Sequence, residues 1–395
     1  MGRAGSAYLI FGMLLAASGI APDSLMAQTT FTFGGYVKFD ALSTHFYDGT
    51  VANTSVLRDI HFPGAIPVGG ESDVFATLDY HAKESRFSLG TATELDNGKH
   101  LRSFFELDFL LAGQGDERVS NSYNPRLRHA YFAYGGLLMG QTWTTFQILD
   151  IPDDLDFAGA AEGIIFNRQP QVRYSTGNWQ FAIESSETTL TPYLESGRQG
   201  SGNALFPDLV ARYNVRWDRG NLSVAGILRQ LNHEYDEDGT IRNESAPGYG
   251  GTFGGKLLVG ERDDIRFQVS GGMGLGRYAA LNFVNGAQIR DDRTIEAIPS
   301  ALGFVGYRHF WSERWRSSAN VSAFRADHDT SIVSDEVNRS AWSASVNLIY
   351  SPIPELHFGF ELMRGTRKLE NDVEGVFDRF QFSGRYDFRF SATSG

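Results

Sequence analysis

The sequence predicts an all-β fold: a 16-stranded antiparallel transmembrane β-barrel with an inward-folded third loop. Three observations carry that prediction. Apolar and polar residues alternate with period two at both ends of the mature chain, short turns alternate strictly with long loops between them, and aromatic residues are abundant. Of 395 residues 13% are aromatic, with 30 Phe and 16 Tyr beside 44 Gly, whereas helical proteins favour Ala, Leu, Glu and Lys. The chain has no Cys, which excludes disulfides, cysteine nucleophiles and thiolate metal sites. A formal net charge of -12 argues against nucleic acid as a partner.

Residues 1–27 read as a signal peptide. Arg3 gives a positive start, Ala7 to Ala21 an apolar run, and Ser24-Leu25-Met26-Ala27 a cleavage site before Gln28. That run is shorter than the ~20 residues a spanning helix needs. No later stretch is long and apolar enough either, so residues 28–395 are expected to form a single domain, either secreted or inserted in the outer membrane as a barrel.

In the first strand, Phe31, Phe33, Gly35, Val37, Phe39 and Ala41 share one face and Thr30, Thr32, Gly34, Tyr36, Lys38 and Asp40 the other. The last strand repeats this, with Phe380, Phe382, Gly384, Tyr386, Phe388 and Phe390 against Arg379, Gln381, Ser383, Arg385, Asp387 and Arg389. Between them, short turns rich in Gly, Asn, Asp and Pro fall at 96–99, 135–136, 176–178, 218–221, 261–264, 311–314 and 351–354. Long polar or Gly-rich stretches lie near 43–80, 111–124, 145–168, 187–206, 231–248, 277–298, 326–339 and 365–377. Seven hairpins plus the two terminal strands make sixteen, with turns on the periplasmic side and loops outside. A propeller would repeat a blade signature, and none is present. A secreted β-sandwich or β-helix is the soluble alternative.

Several stretches in this order and spacing resemble the DcaP-like family of outer-membrane porins. They are His61-Phe62-Pro63-Gly64-Ala65-Ile66-Pro67-Val68-Gly69-Gly70, Gly140-Gln141-Thr142-Trp143-Thr144-Thr145-Phe146, Arg168-Gln169-Pro170-Gln171-Val172-Arg173-Tyr174, Gly276-Arg277-Tyr278, Ser351-Pro352-Ile353-Pro354 to Glu361, and Arg379 to Phe390. The resemblance spans essentially the whole mature chain. It implies a sixteen-stranded trimeric porin in outer-membrane lipid that passes small anionic solutes such as carboxylates.

Face assignment puts Lys38, Arg102, Glu106, Arg128, Arg173, Arg212 and Arg385 in the lumen, as pore-lining or solute-binding residues. Of 35 basic residues only five are Lys, and guanidinium suits bidentate contact with carboxylate or phosphate. The third long loop, Thr145 to Arg168, carries Asp150, Asp153, Asp154, Asp156 and Glu162 among many apolar residues. Packing inside the lumen would explain the apolar residues, and the carboxylates would then face Arg across the gap as a constriction. A solvated outer loop and a Ca²⁺ site are the competing readings, and no EF-hand spacing supports the latter.

Catalytic motifs are missing: there is no H-E-x-x-H and no G-x-S-x-G. A barrel phospholipase would need something like Ser85 or Ser103 with His129 on a lipid-facing surface. The expectation is therefore a passive, cofactor-free and metal-free channel for small hydrophilic solutes with a preference for anions. The alternatives are a barrel enzyme or adhesin, or a secreted sandwich that binds a ligand.

Overall fold

The computed structural model describes residues 28–394 apart from 73, 112–120 and 205. The export signal lies outside the described residues. No described helix is long and apolar enough to cross a membrane; the chain crosses by strands.

Sixteen antiparallel staves close on themselves among the described residues. They are β1 (Gln28–Phe46), β2 (Thr77–His81 with Arg86–Glu94), β3 (His100–Asp108), β4 (Arg126–Tyr134), β5 (Leu137–Trp143), β6 (Arg168–Thr176), β7 (Trp179–Glu184) and β8 (Asp208–Trp217), followed by β9 (Gly220–Glu237), β10 (Thr240–Val259), β11 (Asp263–Met273), β12 (Pro299–Phe310), β13 (Trp315–Ala326), β14 (Asn338–Ile353), β15 (Leu356–Leu369) and β16 (Glu374–Ser394). β1 pairs with β2 on one side and β16 on the other, which leaves the barrel sheet without an edge. Beyond Phe390 the chain does not trail off: Ser391 and Thr393 pair with Thr32 and Thr30.

All seven short turns stand where the turn residues put them. Gly135, at φ 56°, takes a backbone conformation that a side chain would resist. The long stretches are L1 (47–76), L2 (109–125), L3 (144–167), L4 (185–207), L6 (274–298) and L7 (327–337). Two expected loops are instead strand. β9 and β10 run paired to a two-residue turn, L5, at Asp238 and Gly239 (φ 52° and 80°), and β15 and β16 pair up to L8 (370–373). These hairpin ends mix buried positions, Leu231 to His233 and Phe377 among them, with exposed tips, so the apolar alternation that marks a membrane strand is lost there.

Outward positions are apolar and inward ones polar. Val37 and Phe39 are exposed on the outside, while Lys38 and Asp40 are buried. Exposed Tyr134, Tyr174, Trp179, Trp217, Trp311 and Trp315 ring the short-turn end, as aromatic girdles do at a membrane interface. The alternation slips at two places. In β4 a bulge opposite Glu106 and Leu107 turns both Arg128 and His129 inward. In β2 the ladder stops between His81 and Arg86, and Ser85 Oγ fills the gap by accepting from Lys38 N (3.1 Å) and donating to Lys38 O (3.3 Å). Inside the upper barrel, L6 packs Leu275, Tyr278, Phe283 and Val284 against inward Val210, Ile227, Leu302 and Phe324.

Candidate permeation path

L3 leaves β5 and enters the barrel. Its root is fixed by Glu184, which accepts from Thr144 Oγ1 and Thr145 N (both 2.6 Å). From there the loop follows the inner wall and is bonded at nearly every step. Arg212 donates to Gln147 O (2.7 Å), Asn221 donates to Asp150, and Arg266 donates to Ile151 O (2.7 Å). Asp153 pairs with Arg316 (2.8 Å) and Arg308 (3.4 Å), and its backbone carbonyl accepts from Asn347 (2.8 Å). Asp154 accepts from Asn320 and from Ser345 Oγ (3.3 Å). Leu155 N donates to Glu361 (2.9 Å), and Leu155 O accepts from Lys38 Nζ (2.6 Å).

The last holds tie L3 to L1 as well. Asp156 pairs with buried Arg379 (3.0 Å) and accepts from His61 N (2.9 Å). Glu162, fully buried, accepts from His61 Nε2, Ser322 Oγ and Ser343 Oγ, all at 2.6 Å. The carboxylates of Asp153, Asp154, Asp156 and Glu162 therefore point at the wall and at L1. They do not face Arg across a gap: a carboxylate sent into a low-dielectric interior is stable only with partners, and the wall supplies them. Burial works against the charge of Asp153, but Arg316 and Arg308 outweigh it and hold its carboxyl below the usual range. Asp154, with no cation beside it, goes the other way: burial first, then Glu361, Asp153 and Asp156, push its carboxyl well above that range.

Beneath L3 lies a cavity of 670 Å³ lined by Tyr36, Lys38, Arg86, Glu106, Arg128 and Arg385 among others. The residues expected to line the pore divide into two kinds. Lys38, Glu106, Arg128 and Arg385 are engaged. Lys38 binds Glu84, and Arg128 is buried between Glu106 (2.7 Å) and Asp108 (2.8 Å). Arg385 stacks on Tyr36 at 4.0 Å and pairs with Asp387 (2.6 Å). Arg102, Arg173 and Arg212 have no carboxylate among the described residues within 4.0 Å, and neither has Arg216. Arg173 donates to Thr145 Oγ1 (2.8 Å) and Gln171 (3.0 Å), and Arg212 to Asn214 (2.6 Å) and Ser223 (3.1 Å), all neutral acceptors. Arg102 and Arg216 are exposed. Arg102 and Arg173 share one ladder row through Ala133 and Leu138.

Sequence reasoning passed over Arg86, which faces inward beside Glu106 (3.6 Å), because the break in β2 shifts the parity on which face assignment rests. It also set His129 on the lipid side as an imagined catalytic base. The bulge turns it into the lumen, where its Nδ1 lies 3.0 Å from Thr142 Oγ1, while Ser103 hydrogen-bonds Thr91 and Ser85 is held by Lys38. Among the described residues no group of His, Asp and Glu is placed to hold a metal.

Over residues 19–388 the sequence matches the model of the DcaP outer membrane protein. The chain belongs to the DcaP outer membrane protein family. The fold agrees: the outer membrane channel DcaP of Acinetobacter baumannii is similar at TM-score 0.73 and 20% identity, over 94% of this chain and 99% of that one. More distant are an anion-selective porin from Comamonas acidovorans (TM-score 0.54, 12% identity, 91% and 100% covered) and a trimer form of OmpT from Vibrio cholerae (0.52, 10%, 91% and 99%). No curated protein matches the chain in sequence. This DcaP-family chain is an outer-membrane β-barrel with a porin's architecture, and the similar Acinetobacter baumannii DcaP is an outer membrane channel.

Proposed function

We propose that the protein is a passive channel for small hydrophilic solutes that favours anions such as small carboxylates, and that it works as a homotrimer. One observation carries the anion preference. Among the described residues Arg102, Arg173, Arg212 and Arg216 have no carboxylate partner, while the carboxylates of L3 are committed to the wall. The net charge of -12 opposes anion approach, but exposed loop carboxylates are screened beyond a Debye length of about 8 Å at physiological salt. Fixed guanidiniums inside a low-dielectric bore are screened far less and concentrate anions locally. The similar fold of the anion-selective porin from Comamonas acidovorans supports this reading.

The trimer rests on the family and on the trimer form of the Vibrio cholerae relative. Small outward residues do not argue for it. A Cβ on Gly35 would come within 2.0 Å of Arg86 O, so that glycine serves packing within the wall. Reversal potential in a planar bilayer under a KCl gradient tests the selectivity. Changing Arg102, Arg173 and Arg212 together to Gln should move it toward cation selectivity and weaken block by small carboxylates. A wild-type channel that is cation-selective at physiological salt sinks the anion reading. Migration of unboiled protein only as monomer sinks the trimer.

A further inference from the structure

L3 is bonded to the wall over most of its course but not all of it. Its partners come from β1, β8, β9 and β11 through β16, and its root sits on β5 to β7, so the wider unbonded sector is β2 to β4. Among the described residues no hydrogen bond or ion pair joins L3 to β2, β3 or β4. That sector of the bore is where the loop and the wall can part.

On the wall side of this sector stand Arg86, Arg126 and Arg128 with Glu106 and Asp108. On the loop side stand two rings, Phe157 and Phe166, in edge contact at 5.7 Å between centroids. Phe157 reaches across: the Arg126 and Arg128 guanidiniums lie 5.7 Å and 5.4 Å from its centroid. Its neighbours are fixed, Asp156 by Arg379 and His61, and Ala158 N by Asp156 Oδ1 (3.1 Å). The ring itself is half-buried, lines the cavity and is held only by dispersion and by the guanidinium faces.

We propose that solute passes between L3 and the β2–β4 wall, and that Phe157 sets the width of that passage. The proposal rests on the channel reading above. Arg126 and Arg128 are themselves held by Asp108 and Glu106, so the ring rests on a fixed wall and presents an apolar edge to bulky solutes. The backbone on either side stays latched, so replacing the ring alters the gap without releasing the loop.

Single-channel recording on the full chain, with Phe157→Ala and Phe157→Leu, tests this. Phe157→Ala should raise conductance at least about twofold, with Phe157→Leu between it and wild type. The anion-to-cation permeability ratio should stay at the wild-type value, because the guanidinium wall is intact. Wild-type conductance in either variant, when it runs as a folded barrel on an unboiled gel, overturns the proposal and leaves the channel reading standing. A wild-type protein that conducts nothing overturns both.

Discussion

At the scale of single residues, neighbouring side chains do opposite work on the two faces of one strand. In β15, Leu362 is 57% exposed on the outside, between Val346 and Phe380, while Glu361 and Met363 beside it are buried. Leu362→Arg should therefore cost about 2–4 kcal/mol of barrel stability, read by urea titration in lipid vesicles. An unchanged midpoint would mean that this face does not meet lipid. Arg itself shows the inward contrast. Arg128 and Arg379 are buried and paired, so removing a partner strands a charge, whereas Arg102 and Arg216 are exposed and have no carboxylate within 4.0 Å among the described residues.

At the scale of elements, L3 combines a set of latches with one member out of step. Asp154 accepts from Asn320 and Ser345, yet burial and its acidic neighbours keep its carboxyl raised. A carboxyl raised in the folded state supports folding while it is protonated and opposes folding as pH climbs past the raised value. Asp154→Asn keeps an oxygen to accept both bonds and removes the charge. It should raise the thermal unfolding midpoint at neutral pH, and the gain should vanish in acid, where Asp154 is already neutral. A gain that persists unchanged in acid would point to packing as its source. L3 also shows where sequence reading stops. Its many apolar residues and its place after β5 were legible, but whether its aspartates face the gap or the wall depends on Arg308, Arg316 and Arg379, more than 150 positions away in the chain.

At the scale of the molecule, strand number and turn positions were legible because a water-facing and an oil-facing side impose period two over most of each strand, and turn residues interrupt it. The reading failed where that contrast fades. In the outer part of the β9–β10 hairpin the polar tip is exposed while Leu231 to His233 are buried against loops, so residues 231–248 lack period two and looked like a loop although they are paired through Glu237 and Thr240. It failed again where the register slips by one, at Arg128–His129 and between His81 and Arg86. The hairpin tip from Asp236 to Arg242 is exposed. Deleting residues 235–242 and joining Glu234 to Asn243 through Asn-Gly should leave conductance and gel mobility as in wild type. A changed conductance would place the tip over the mouth of the bore.

The latching of L3 also bears on the order of assembly. Asp156 meets Arg379 across 223 positions, and Leu155 meets Gln381 across 226, so the loop's final holds come from β16, the strand that also seals the cylinder against β1. Until the C-terminal strand arrives, the middle of L3 lacks its last anchors and the cylinder has an open seam. Sealing the wall and fixing the bore thus depend on the same strand, so the long-range pairing that closes the barrel also sets its inner loop.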